Sequence, residues 1–141
     1  MKIYLAGPIK KHRQTIEEMA KIMREANHEV YLPSENKIDN AWDLPNDIWG
    51  KKVFDNDVEA INNCDMVVVA SYDNSEHHGG TRWESGYAYG IGKRVVVVHF
   101  EQEEVSLMIA NGCFSNLNGL EEFRKTDLNT IEEKKCNLPQ T

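Results

Sequence analysis

Met66-Val67-Val68-Val69-Ala70, a polar loop, Gly79-Gly80-Thr81-Arg82-Trp83-Glu84-Ser85-Gly86-Tyr87 and then Val95-Val96-Val97-Val98 follow one another in the chain. They read as strand, loop, helix and strand. The continuous apolar run over 66–70 suits a strand buried on both faces of a parallel sheet. The spacing puts Glu84 in the first turn of the helix, at the C-terminal edge of that sheet, where open α/β folds bind their ligands. A helix N-terminus carries partial positive charge, which predicts an ionised Glu84. An ionised, positioned carboxylate is a nucleophile for glycosyl chemistry.

The pattern continues on both sides of this unit. A first strand is expected over 3–6, ended by the turn Gly7-Pro8. Ile16, Met19, Ala20 and Met23 recur at helical spacing, which predicts a helix over 14–26. Asn27-His28 ends it, and 30–32 reads as a second strand. The polar segment 33–45, carrying Trp42, is long for a compact domain, and long loops are often functional lids. A helix over 48–63 places Phe54, Val58 and Ile61 on one face. The strand at 95–100, a short helix within 105–110 and a last short strand near Cys113 complete the alternation. The tail beyond about Phe123 is charged and reads as loosely packed, or as helical over 130–135. Strand alternating with helix implies a doubly wound parallel sheet in one domain spanning 1–141.

The 141 residues are enough for a sizeable core. A net charge of -7 argues against a general nucleic-acid binder, which needs a basic face. No apolar run approaches ~20 residues, so no membrane span is expected. Met1-Lys2-Ile3-Tyr4-Leu5 reads straight into a strand, not into a signal peptide. Cys64, Cys113 and Cys136 are odd in number and lack metal-type spacing, which suits free thiols in a reducing cytoplasm. Glu76-His77-His78 is a weak metal motif, because adjacent histidines point apart and no third ligand has helical spacing. No metal and no cofactor are therefore expected, and the first turn lacks the glycine-rich fingerprint of a dinucleotide site.

Several segments together resemble the nucleoside 2-deoxyribosyltransferase family. They are Lys2-Ile3-Tyr4-Leu5-Ala6-Gly7-Pro8, Asn56-Asp57, Cys64-Asp65-Met66-Val67-Val68-Val69, Gly80-Thr81-Arg82-Trp83-Glu84-Ser85-Gly86-Tyr87-Ala88 and Ser106-Leu107-Met108. The resemblance covers roughly residues 2–115. It implies an α/β, flavodoxin-like doubly wound sandwich with about five parallel strands. It also implies cleavage of the N-glycosidic bond of nucleosides or their nucleotides. Glu84 would attack the anomeric carbon, Tyr4 would hold and tune Glu84, and Asp57 would protonate the departing base. Negative charge around an oxocarbenium-like transition state suits that chemistry. The implied substrate contacts are Gly7, Ile9, Lys10, Lys37, His78, Gly80, Ser106 and Met108. The segment at Ser106 implies a homo-oligomer in which one subunit completes its neighbour's site.

Three departures from the family pattern point toward a phosphorylated substrate. His78 stands where the resemblance implies an aspartate for the sugar 5'-hydroxyl, and Ser106 where it implies an asparagine. Ile9-Lys10-Lys11-His12-Arg13 puts cations at a helix N-terminus, each opposing the dipole by ~0.3–1 kcal/mol unless an anion binds there. Lys37 replaces a base-reading glutamine. Transfer of a 2-deoxyribosyl group to a second nucleobase is one expectation. The alternative is a nucleoside 5'-monophosphate N-glycosidase releasing free base. A slighter resemblance, of Gly79-Gly80-Thr81 to nucleotide phosphoribohydrolases, lacks their further glycines and proline. A non-catalytic nucleotide-binding module stays open as another class.

Each residue also has a plain structural reading. Glu84 can complement a helix dipole, Asp57 can be surface charge beside Asp55 and Glu59, and Tyr4 can be a buried core tyrosine. Gly79-Gly80-Thr81 can be a loop with an N-cap. The cations at 10–13 can be a solvated run, Ser106 and Met108 can belong to a core or loop, and Tyr87 and Tyr89 suit a core or a subunit interface.

Overall fold

The computed structural model describes residues 1–73 and 79–141. The chain runs β1 (Lys2–Ala6), α1 (Ile9–Glu25), β2 (Glu29–Tyr31), α2 (Asn46–Asn63), β3 (Met66–Ser71), α3 (Gly79–Gly90), β4 (Arg94–His99), α4 (Leu107–Asn111), β5 (Ser115–Asn118) and α5 (Gly119–Lys125). All five strands are parallel and lie in the order β2-β1-β3-β4-β5. This is the flavodoxin-like order, whose switch point, and hence ligand crevice, falls between β1 and β3.

Side-chain parity divides the core. Ile3, Leu5, Met66, Val68, Val96 and Val98 face one side and pack with Ile16, Met19 and Met23 of α1 and Phe123 of α5. Tyr4, Ala6, Val67, Val69, Val95 and Val97 face the other, against Ile61 of α2 and Ala88 of α3. Strand period 2 therefore aims Tyr4 at the layer that carries Glu84. A slip of one residue would turn it to the α1 side.

Gly7 is needed for a close approach. A Cβ there would lie 2.8 Å from Ile16 Cδ1 and 3.0 Å from the Ala70 Cβ. Gly7→Ala is expected to cost ~1–3 kcal/mol by overpacking, read as a lower denaturation midpoint with an unchanged m-value. An unchanged midpoint would show that α1 yields freely.

Several regions differ from the sequence reading. Helix α1 begins at Ile9, not at 14, because Pro8 supports an extra turn in which the Lys11 and His12 amides both donate to the Pro8 carbonyl. His12, at φ −126° and ψ 36°, marks the kink where this turn joins the helix proper. Residues 10–13 carry no apolar period, so nothing local announced that turn. The segment 33–45 contains two short 3-10 turns, Pro33–Glu35 and Ala41–Asp43, and its Trp42 is 94% exposed.

The last strand sits at Ser115–Asn118, slightly beyond Cys113, and is followed directly by α5. The tail is neither loose nor helical over 130–135. Leu128 is buried in the α1-side core, and Lys134 bridges Ser115 along the edge of β5. The Lys134 carbonyl accepts from the Asn116 backbone amide at 3.0 Å. An extended segment that satisfies an open strand edge has a partner no helix would supply.

Candidate active site

Tyr4 and Tyr31 are register partners on β1 and β2. Their rings stack with centroids 5.4 Å apart and 17° between planes. The Tyr4 hydroxyl donates a short hydrogen bond to Glu84 Oε2, and the Tyr31 hydroxyl donates to Asp57 Oδ1 at 3.0 Å. Two carboxylates, from α3 and α2, are thus each held by one of two stacked phenols. Tyr4 is fully buried, and Asp57 is half-buried while its neighbour Asp55 is exposed and pairs with Lys51.

Glu84 is the sixth residue of α3 as described, not a first-turn residue. The dipole effect falls off beyond the first turn, so the expectation of a dipole-ionised Glu84 is corrected. Burial, aided by the nearby Asp57 charge and opposed by the Tyr4 hydrogen bond, pushes the Glu84 pKa up to about 7. Burial also raises the Asp57 pKa, while the Tyr31 hydrogen bond opposes the rise. Burial and then the Glu84 charge hold the Tyr4 phenol far above its ordinary value, so it stays a donor.

Glu84 lies where two clefts meet. One, of about 430 Å³, runs between α2 and α3 and is lined by Val53, Phe54, Asp57, Ile61, Gly80 and Trp83 besides Glu84. Phe54 meets Trp83 edge-on at 5.2 Å, and Trp83 stacks on Tyr87. The other cleft, of about 260 Å³, joins Glu84 to Gly7, Pro8, Ile9, Lys10, Lys11, Gly80 and Thr81. The first is mostly apolar and fits a flat ring. The second opens on the cationic first turn of α1, which carries no acidic residue.

Glu84, Asp57 and Tyr4 are therefore brought together, with Gly7, Ile9, Lys10 and Gly80 around them. Lys37 is exposed and lines neither cleft. Ser106 stands just before α4 without a side-chain capping bond, Met108 is 74% exposed on that helix, and neither lines the clefts around Glu84. His78 lies outside the described residues, as do Glu76 and His77. Tyr87 is half-buried and Tyr89 is exposed. Among the described residues no three His, Cys, Asp or Glu side chains are grouped to hold a metal, and no helix is long and apolar enough to cross a membrane. Sequence reading missed Tyr31. Its signal was its place at the end of β2, in register with Tyr4.

The family model of nucleoside 2-deoxyribosyltransferases matches residues 3–133. The chain belongs to this family. A 2-deoxyribosyltransferase from the psychrotolerant bacterium Bacillus psychrosaccharolyticus is similar at 27% identity and a TM-score of 0.84, over 96% of this chain and 99% of that one. The CMP N-glycosidase of Clostridium botulinum has the same fold at 18% identity and a TM-score of 0.65, over 89% and 96%. A 2-deoxyribosyltransferase from Leishmania mexicana shares it at 18% and 0.54, over 99% and 82%. A search of the curated proteins returned no significant match. As a member of the nucleoside 2-deoxyribosyltransferase family the chain is an enzyme of nucleoside chemistry.

Proposed function

We propose that the protein cleaves the N-glycosidic bond of a 2-deoxynucleoside through Glu84 and passes the sugar to a second nucleobase. The observation that carries this reading is the Glu84 carboxylate, held by the Tyr4 hydroxyl where the two clefts meet. The base stacks in the α2–α3 cleft against Phe54 and Trp83, since flat apolar walls reward ring burial. Glu84 forms a C–O bond to the anomeric carbon as the C–N bond breaks. Its electron pair leaves with the base, which takes a proton from Asp57. The second base attacks the glycosyl ester, returns its N–H proton to Asp57 and frees Glu84. The 27% identity with a 2-deoxyribosyltransferase over 96% of the chain supports transfer.

A second reading, hydrolysis of a nucleoside 5'-monophosphate, is favoured by Lys10 and Lys11 in the cleft that reaches Glu84. Chromatography of matched deoxynucleosides and their 5'-monophosphates, with and without acceptor base, separates the two. A new nucleoside formed only with acceptor is the expected result. Free base released from monophosphates alone would replace it with the hydrolase. In that case Lys10→Ala is expected to raise KM for the monophosphate by ~5- to 30-fold, with kcat within about threefold.

The exposed Leu107 and Met108 support the implied oligomer, in which the Ser106 segment enters a neighbour's site. Sedimentation should then show a dimer or larger.

A further inference from the structure

Asp57 has two carboxylate oxygens, and the fold treats them differently. Oδ1 accepts the Tyr31 hydroxyl hydrogen at 3.0 Å. The Asn36 side chain, which follows the Pro33–Glu35 turn, lies near that hydroxyl and partly opposes the rise that burial imposes on its pKa. The phenol has one hydrogen to give, and it gives that to Oδ1. The Tyr31 ring cannot swing away, because it stacks on Tyr4 and β2 fixes its backbone beside β1. Asp57 itself lines the apolar cleft that also holds Glu84.

We propose that Tyr31 is a positioning residue that keeps Oδ1 of Asp57 occupied as an acceptor, so that the acidic proton resides on Oδ2 and is presented to the departing base. The proposal rests on the reading of Asp57 as the proton donor. In the step the Oδ2–H bond breaks and an N–H bond to the base forms. The proton leaves Oδ2 for the base nitrogen as the glycosidic electron pair arrives there, and the carboxylate left behind is stabilised by the Tyr31 hydrogen bond that stays on Oδ1.

The residue's role separates by leaving group. Tyr31→Phe keeps the ring stack and removes only the hydroxyl. Its turnover is to be measured on two substrates, an ordinary purine 2'-deoxynucleoside and its 7-methylated counterpart. The methylated base leaves neutral without taking a proton. The expected result is a kcat lowered ~10- to 100-fold on the ordinary substrate, with KM within about threefold, and a loss of less than about threefold on the methylated one. Equal losses on both substrates would overturn the proposal, since a merely structural tyrosine serves both alike. Asn36→Ala, at an exposed position, should show the same pattern in weaker form and serves if Tyr31→Phe does not fold. If the unaltered protein turns over neither substrate, the glycosyl-transfer reading fails and the role of Tyr31 falls with it. If it turns over both and Tyr31→Phe matches it on both, only the Tyr31 inference fails.

Discussion

Glu84→Gln is expected to reduce turnover by ~10³-fold or more, because the amide forms no glycosyl ester. Single-turnover assays on whichever substrate class the chromatography identifies would read it. A variant that retained more than about a tenth of the activity would remove Glu84 as the nucleophile. The same substitution is expected to stabilise the fold in alkaline buffer. Burial raises the Glu84 pKa from 4.5 to about 7, so the folded protein holds this proton more tightly than the unfolded chain does. That contribution is fully present below the unfolded value and is lost as pH rises through about 7. At pH 8 the native protein carries a buried ionised carboxylate, and the amide avoids it. Glutamine keeps an oxygen for the Tyr4 hydroxyl, so a gain on the order of 1–3 kcal/mol at pH 8, vanishing near pH 4, is the expected melting behaviour. A variant less stable at pH 8 than the native protein would mean that the ionised Glu84 is well solvated.

The second large effect is on pH dependence. The nucleophile must be ionised, so kcat/KM for a 7-methylated substrate, which needs no proton from Asp57, should rise with pH along an acid limb centred near the Glu84 value of about 7. At pH 5 it should stand ~100-fold below its plateau, a tenfold loss per unit. The limb should move with its neighbours in opposite directions. Tyr4→Phe deletes the hydrogen bond that favours the charged form and moves the limb up, lowering kcat/KM at pH 7 by ~10-fold or more. Asp57→Asn deletes a negative neighbour and moves the limb down, although turnover of ordinary bases falls with the lost acid. A limb that stays in place in both variants would assign it to another group.

These expectations separate what local sequence shows from what packing decides. The sheet was legible because parallel strands buried on both faces read as unbroken apolar runs, as Met66-Val67-Val68-Val69-Ala70 and Val95-Val96-Val97-Val98 do. Helix α2 and the main part of α1 were legible from their apolar spacing. The first turn of α1 was not, because residues 10–13 carry no apolar period, and the ordered tail was not, because it is held by contacts far from its own residues. Pro8 accepts the turn's amides, and β5 pairs with Lys134.

The candidate site divides along the same line. The sequence by itself determined the residue types. It placed Glu84 after β3, Tyr4 in β1 and Asp57 on α2, and it aligned them with the family pattern. The resemblance implied that Tyr4 holds Glu84, 80 residues away; the tertiary structure showed the contact to be a hydrogen bond to Oε2, and it alone decided that Tyr31 caps Asp57. It also decided that Glu84 titrates near neutrality, where the sequence suggested a firmly ionised group. The physical reason is that a hydrogen bond or a desolvation cost depends on depth and neighbours. Those are set by the register of β1 against β2 and by the packing of α2 and α3 over the sheet, and no stretch of chain carries that information alone.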